Sequence, residues 1–365
     1  MSLLDDEDNT PFETSNTSDL DLKLQYSIET LTQILGPIPS LSSSQDSSLT
    51  LLHDTNLTQT ISTHLKLPNS GAGDNNLCRW LYDTFQSSHP DLQLVVLSFL
   101  PIIAGLYLPR AVLRATSLAG FEAILLALYA HETTSRDGQP ITVSIPDLSN
   151  SSLYHESKAP IKNKAVELNM TIVSPSLEPH GTVRSTRRAR IVGVALELYY
   201  KKIALMPMSS KIEFCKFCLV WATGKEDGDG EDSVGKKSLL GDQKEASSSS
   251  NGDHGVDGSK EKREMKEELS EEKSWRRVPL PWELLQPALR ILGHCLMGPN
   301  RTNKELTDAA LSATKSLHAR ALQDVDSQAI LATGSLLRLG TMASETSTEP
   351  DHTEIRDYMN PVISL

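Results

Sequence analysis

The stretch that decides the fold runs from residue 195 to residue 222 and reads ALELYYKKIALMPMSSKIEFCKFCLVWA. Apolar residues recur in and around it with a period near 3.6, which is typical of amphipathic α-helices. Before the Met206-Pro207 dipeptide they are Ile191, Val194, Leu198 and Leu205, and after it they are Ile212, Cys215, Leu219 and Ala222. A connection this short between two apolar faces predicts an antiparallel helical hairpin.

Polar residues indicate where the second helix of this hairpin begins and which face of the first helix is exposed. Residues 210–213, Ser-Lys-Ile-Glu, fit a capping box, in which a serine and a glutamate three residues later cap the first turn. We therefore expect the second helix to begin at Ser210. Glu197 and Lys201 are spaced for an i,i+4 ion pair outside the apolar face of the first helix.

The helical pattern continues on both sides of this stretch. It predicts a helix from Pro90 with a kink at Pro101, and another over residues 118–129. After residue 275 it predicts a helix over residues 285–295, one opened by a capping box at 302–305, and a last one over 326–339.

One segment departs from the helical period. Ile141, Val143 and Ile145 alternate with polar residues, which predicts a short strand, with residues 170–173 as its partner. The predicted fold is all-α: packed antiparallel helical hairpins, similar in architecture to a helical repeat, with a small β or extended element and a long disordered insert.

Charge is concentrated in two stretches. The 365-residue chain has a net charge of −12, of which residues 1–25 and 224–274 carry −6 each. The second stretch has almost no large apolar residues, which is typical of disorder, and we expect the first to be a disordered tail. The expected organisation is an acidic tail (1–25), a helical part (26–223), a disordered insert (224–274), a second helical part (275–340) and a tail (341–365). The acidic balance argues against a nucleic-acid partner.

Targeting and membrane signals are weak. The first residues, MSLLDDEDNT, have no basic region followed by an apolar run, so we expect no secretion. The longest uncharged run, residues 92–108, is short for a membrane span and better suited to a buried helix. We expect a cytoplasmic protein whose membrane association is indirect.

Catalytic, cofactor and metal motifs are incomplete. Residues 230–236 approach a phosphate-binding loop, but Lys237 stands where that loop needs serine or threonine. Cys215 and Cys218 form a CxxC with no further ligands nearby, so we interpret them as small core residues. The sequence therefore predicts no enzyme, no cofactor and no metal.

Two segments are candidate binding sites. Residues 146–156 are non-helical and carry Pro146, Leu148, Leu153, Tyr154 and His155, which form either a loop pinned onto the helices or a ledge that docks a partner. The one dense basic cluster outside the insert is Arg184, Arg187, Arg188 and Arg190. It forms either a solvated loop or a contact with anionic lipid or an acidic partner.

Three quoted segments resemble, in this order, the hyccin family: LSFLPIIAGLYL (97–108), GFEAILLALYAHE (120–132) and ITVSIPDLSNSSLYHE (141–156). The stretch 195–222 and the helices after residue 275 are similar to the rest of that family. The resemblance covers residues 75–222 and 275–340.

The resemblance implies a non-catalytic subunit of the plasma-membrane complex of phosphatidylinositol 4-kinase type III alpha. Such subunits pack against a tetratricopeptide-repeat scaffold, which bridges the kinase to a membrane-anchored helical-repeat protein. The alternative is a peripheral membrane adaptor that binds anionic lipid directly through the basic loop.

Overall fold

The structure is a computed structural model of the chain. It describes residues 12–36, 51–113, 117–146, 168–179, 181–224, 278–299 and 303–346.

Most of the described residues are helical. The α-helices are α1 (Phe12–Leu35), α2 (Thr55–Lys66), α3 (Asn76–Gln86), α4 (Pro90–Ser98), α5 (Leu100–Leu113), α6 (Ala119–Ser135), α7 (Arg188–Lys201), α8 (Met208–Thr223), α9 (Trp282–Met297), α10 (Lys304–Asp324) and α11 (Ser327–Thr346). Residues 51–53 are also helical. Strands β1 (Ile141–Pro146) and β2 (Leu168–Ser174) form a two-stranded sheet. The predicted all-α class with a small β element is confirmed.

The stretch 195–222 lies at the centre of the packing. Its two helices meet at their connection, where the Tyr199 and Ser210 hydroxyls are 3.0 Å apart and the Tyr199 and Phe214 rings stack. Beyond that joint each helix packs chiefly on others: α7 on α6 and α9, and α8 on α5 and α10. The helices after the insert therefore complete the same core as the helices before it.

Close backbone approach joins α7 to α9. A Cβ atom at Gly193 would lie 2.3 Å from the Glu283 carbonyl oxygen, which no side chain could tolerate without a shift. Glycine at this position therefore sets the separation of the two helices.

The predicted kink near Pro101 is confirmed. Helices α4 and α5 are bent by 46° at Phe99, and most of their apolar side chains are buried. In the described part of the chain no single helix is long and apolar enough to span a membrane, and this bent pair passes on length and composition alone.

Both predicted capping boxes are wrong. Helix α8 begins at Met208, and the buried Ser210 hydroxyl donates to the Ser98 carbonyl at 2.6 Å instead of capping. Helix α10 is capped by Asn303, whose side chain accepts from the Leu306 N–H at 3.0 Å. Sequence spacing located the start of each helix only approximately: α8 has no side-chain cap, and α10 is capped by the residue that follows Thr302.

Helices extend into segments that were expected to be tails. Helix α1 begins at Phe12, and its later residues Leu24, Ile28 and Leu31 recur at helical spacing and pack against the core. Helix α11 continues to Thr346. Of the expected insert, only Gly224 is described; it ends α8 in the left-handed conformation, with φ 69°. Residues 225–274 lie outside the described residues.

Candidate interaction surface

The β1–β2 ribbon is the part of the described chain that stands apart from the helical packing. The two strands pair antiparallel, with Val143 opposite Thr171 and Ser144 opposite Met170. The strand expected over residues 141–145 and its partner are thereby confirmed. A two-stranded ribbon is marginally stable by itself, so its position depends on what holds its base.

The ribbon exposes aliphatic side chains on both faces. Val143 and Ile145 are 46% and 45% exposed on one face, and Met170 and Ile172 are 74% and 62% exposed on the other. Neither strand contains a charged residue. Natural edge strands usually carry charges or irregularities that prevent pairing with other chains. An uncharged, aliphatic ribbon is therefore a candidate contact surface.

Hydrogen bonds at the end of β2 fix the base of the ribbon. The buried Ser174 hydroxyl donates to Glu197 Oε2 at 2.7 Å and accepts from Arg136 Nη1 at 3.0 Å. Arg136 Nη2 also donates to the Pro175 carbonyl at 3.0 Å. On the other side, Gln286 Nε2 donates to the Val173 carbonyl at 2.7 Å. Helices α6, α7 and α9 thus all hold β2.

The Glu197–Lys201 pair predicted outside the apolar face is wrong. Glu197 is 4% exposed and lies 3.4 Å from Arg136 Nη1, whereas Lys201 pairs with the buried Glu132. Glu132 Oε1 also lies 3.9 Å from Arg136 Nε. The four side chains form an anchor cluster of two acids and two bases that joins α6 to α7.

Burial dominates the electrostatics of the anchor cluster. It raises the pKa of the Glu197 carboxyl above its ordinary value, against the hydrogen bond from Ser174 and the charge of Arg136. It lowers the pKa of the Arg136 guanidinium, against the charges of Glu197 and Glu132. Ionised groups held this deep need one another, because removal of one partner leaves an uncompensated charge.

The predicted ledge begins where the described part of the ribbon ends. Pro146 is the last residue of β1 and pairs with Leu168. Leu148, Leu153, Tyr154 and His155 lie outside the described residues. The ledge as a partner-binding segment therefore stays a prediction, and the ribbon is the described surface that leads into it.

The arginine loop, residues 184–190, has most of its charge engaged within the chain. Arg187 forms an ion pair with Glu178, and Arg188 Nη2 lies 3.6 Å from Glu122 Oε1. Arg190 Nη2 donates to the carbonyls of Pro175 and Ser176, at 3.3 and 3.0 Å. Arg184 is exposed.

The pocket beside this loop, about 490 Å³, is lined by two acids as well as three arginines: Glu178, Glu283, Arg187, Arg188 and Arg190. The carboxylates offset much of the positive potential that an anionic lipid would meet. The loop therefore stabilises the turn after β2 and the start of α7, and its geometry weighs against a free basic patch.

The CxxC cysteines lie in the core, as expected from their place on the apolar face. Cys215 and Cys218 are 1% and 0% exposed, and Cys295 of α9 is equally buried. Burial raises the pKa of the Cys218 thiol well above its ordinary value. No group of three or more potential metal ligands occurs among the described residues.

Sequence reasoning missed Arg136 and Glu132. Both lie at the end of α6, where the apolar period fades and charged residues usually face solvent. A usable signal was the position of Glu197, which lies between the apolar Leu196 and Leu198 and needs a buried base once that helix face is covered.

The fold and this surface define a class: an all-α protein that presents an uncharged aliphatic ribbon held by a buried ionic anchor. Comparison with family models identifies the family to which the chain belongs. The hyccin family model matches residues 42–364, nearly the whole chain, and the chain belongs to the hyccin family. The match is wider than the segments that carried the sequence resemblance and includes residues 224–274.

Proposed function

We propose that this protein is a non-catalytic interaction subunit of the plasma-membrane phosphatidylinositol 4-kinase type III alpha complex. It binds and stabilises a tetratricopeptide-repeat scaffold and so supports synthesis of phosphatidylinositol 4-phosphate. Membership of the hyccin family supports this proposal. The single structural observation that carries it is the uncharged β1–β2 ribbon with Ile145, Met170 and Ile172 in solvent.

The chemistry of the ribbon fits a protein partner. Burial of exposed aliphatic side chains against a partner stabilises the complex, by roughly 25 cal/mol per Å² of apolar surface. The anchor cluster fixes the ribbon before binding, which reduces the entropy lost on association. A cytoplasmic subunit of this kind reaches the plasma membrane through the scaffold, which contacts the kinase and a membrane-anchored helical-repeat protein.

The test is affinity purification of the tagged full-length chain, followed by mass spectrometry. We expect the wild type to recover the scaffold and the kinase. In the ribbon variant, Ile145→Thr with Ile172→Thr, recovery of the scaffold should fall about tenfold. Threonine keeps the β-branched shape that suits a strand but adds a hydroxyl to the contact.

Leu205→Gln is the matched control. Leu205 is 54% exposed in a short turn after α7, which contradicts its predicted place on the apolar face. The substitution removes one exposed aliphatic side chain that lies away from the ribbon, so recovery should not change. Absence of both scaffold and kinase from the wild-type purification would refute the proposed function.

A further inference from the structure

An open groove runs along α9, between that helix, the end of α7 and the middle of α11. Its volume is about 540 Å³, and most of the side chains that line it are apolar or aromatic, among them Tyr200, Trp282, Leu289, Met297, Ala332 and Leu336. Trp282 and Met297 are the first and last residues of α9 and are 39% and 42% exposed. They lie about 22 Å apart along the helix axis. This α9–α11 groove is therefore long enough for an extended segment of about seven residues.

The polar groups of the α9–α11 groove favour an occupant with negative charge. The Arg290 guanidinium lies over the Tyr200 ring, 4.3 Å from its centroid. His294 Nε2 is buried without a hydrogen-bond partner among the described residues, although buried polar atoms usually have one. No acidic side chain of the described part of the chain lines the groove. The chemistry that fits is an apolar segment with carboxylates beside it.

Two segments outside the described residues adjoin the helices of this groove. Residues 225–277 precede α9, and residues 347–365 follow α11. The first segment has seven large apolar residues among 53. In the second, six of the last eleven residues are large and apolar or aromatic: Ile355, Tyr358, Met359, Val362, Ile363 and Leu365. The segment after α11 therefore has the higher density of apolar surface available for burial.

The charge of the segment after α11 is complementary to the groove. Residues 347–365 contain four acidic residues and one arginine, so the segment carries a net charge of −3. Two of its acids, Glu354 and Asp357, lie next to Ile355 and Tyr358 in sequence. Apolar side chains bound in the groove would therefore bring carboxylates towards Arg290.

The length of the chain after α11 allows this segment to return to the groove. Leu336, which lines the groove, lies ten residues before the end of α11 at Thr346. Ten residues of helix measure about 15 Å. The nine residues from Thr346 to Ile355 can span about 30 Å. A short tether of this kind gives the segment an effective concentration in the millimolar range at the groove.

We propose that residues 355–363 dock in the α9–α11 groove of their own chain. Their apolar side chains cover Trp282 and Met297, and the neighbouring carboxylates face Arg290. The tether favours this occupant over a second copy or another protein, which would have to exceed its effective concentration. The inference is independent of the proposed function, because the β1–β2 ribbon takes no part in the contact.

Hydrogen–deuterium exchange of the full-length chain, followed by mass spectrometry, tests the contact from the side of the segment. After correction for intrinsic rates, the backbone N–H groups of residues 355–363 should exchange about tenfold more slowly in the wild type than in Tyr358→Ser with Ile363→Ser. That variant removes two of the apolar side chains. The matched control is Thr348→Ser with Thr353→Ser, which changes two polar residues of the same segment and should exchange like the wild type.

Met297→Gln tests the contact from the side of the groove, since glutamine keeps helix propensity and removes apolar surface. Exchange of residues 355–363 should accelerate about threefold, with an unchanged thermal midpoint. Leu331→Gln is the matched control, because Leu331 is a 72% exposed residue of α11 that does not line the groove. It should change neither quantity.

Each contrary outcome overturns a stated part of the inference. Equal exchange of residues 355–363 in the wild type and in Tyr358→Ser with Ile363→Ser would show that the segment is not docked. Protection that increases with the concentration of the chain would assign the contact to a second copy and overturn docking within one chain. Equal acceleration in Met297→Gln and Leu331→Gln would overturn the α9–α11 groove as the site.

Discussion

The β1–β2 ribbon and the arginine loop are neighbours in the chain that the fold uses in opposite ways. The loop contains four arginines, yet three of them, Arg187, Arg188 and Arg190, are bound to carboxylates or carbonyls of the same chain. The ribbon has no charge, yet its aliphatic side chains face solvent. In the described part of this protein, the charged loop is used to support the structure, whereas the ribbon leaves its apolar surface exposed.

The two regions are physically connected. Arg190 holds the Pro175 and Ser176 carbonyls, which directly follow β2, and Arg136 holds Pro175 and Ser174 from the other side. Arg136 and Arg190 thus position the ribbon, and their guanidinium groups are engaged in doing so. The difference between the two regions can be tested in three ways: by substitution in the anchor cluster, by a change of pH that alters the protonation of its acids, and by substitution of the exposed arginines.

The largest expected effect follows substitution of Arg136 by methionine. Glu132 and Glu197 would remain buried, with Lys201 as the one base left in the anchor cluster, so the free energy of unfolding should fall by about 3 kcal/mol. Urea denaturation followed by circular dichroism measures this change. The control is Arg187→Met, in an exposed ion pair, which should cost less than about 0.5 kcal/mol. Equal losses in the two variants would contradict the difference between anchor and loop.

A smaller effect is expected from the pH. Because burial raises the pKa of Glu197 in the folded state, the folded chain holds a proton that the unfolded chain has released. The free energy of unfolding should therefore fall as the pH rises from the ordinary carboxyl pKa through the raised value. In Glu197→Gln this contribution should be absent. Urea titrations across that pH range test it, and an identical slope in wild type and variant would assign the proton to another group.

The smallest effect is expected for lipid binding. Purified full-length chain should not float with phosphatidylcholine vesicles containing phosphatidylserine, because most arginines of the loop are engaged. The variant with Arg184→Gln and Arg187→Gln should behave in the same way. Flotation of the wild type that disappears in this double variant would instead support the peripheral membrane adaptor.

Periodicity was sufficient to predict the helical regions from Pro90 onwards, because a buried stripe of apolar residues must repeat with the turn of the helix. Helices α1, α2 and α3 were not assigned from the sequence, and α1 extends into the segment expected to be a tail. Periodicity also separated the strand at Val143 and Ile145 from its surroundings. It could not place Glu197 or Ser210, since both are polar residues whose burial depends on partners distant in sequence, Arg136 and Ser98. Side chains of this kind become interpretable only once the packing of the helices is known.

The candidate surface was predictable only in part. The sequence indicated a non-helical segment near Pro146, but exposure of Met170 and Ile172 depends on the absence of a covering helix among the described residues. Val325, which follows α10 in the left-handed region with φ 54°, carried no signal, because a valine after a helix is ordinary in sequence and unusual only when its φ is known.

The packing between Trp221 and Pro279 has a consequence for how the chain can vary in length. Trp221 Nε1 donates to the Pro279 carbonyl at 3.1 Å, which brings together residues 58 positions apart. The entropy needed to close a chain segment between two fixed points grows only with the logarithm of its length. In closure entropy alone, a change in the number of residues between these two points therefore costs the folded core little, about 0.6 kcal/mol for a doubling.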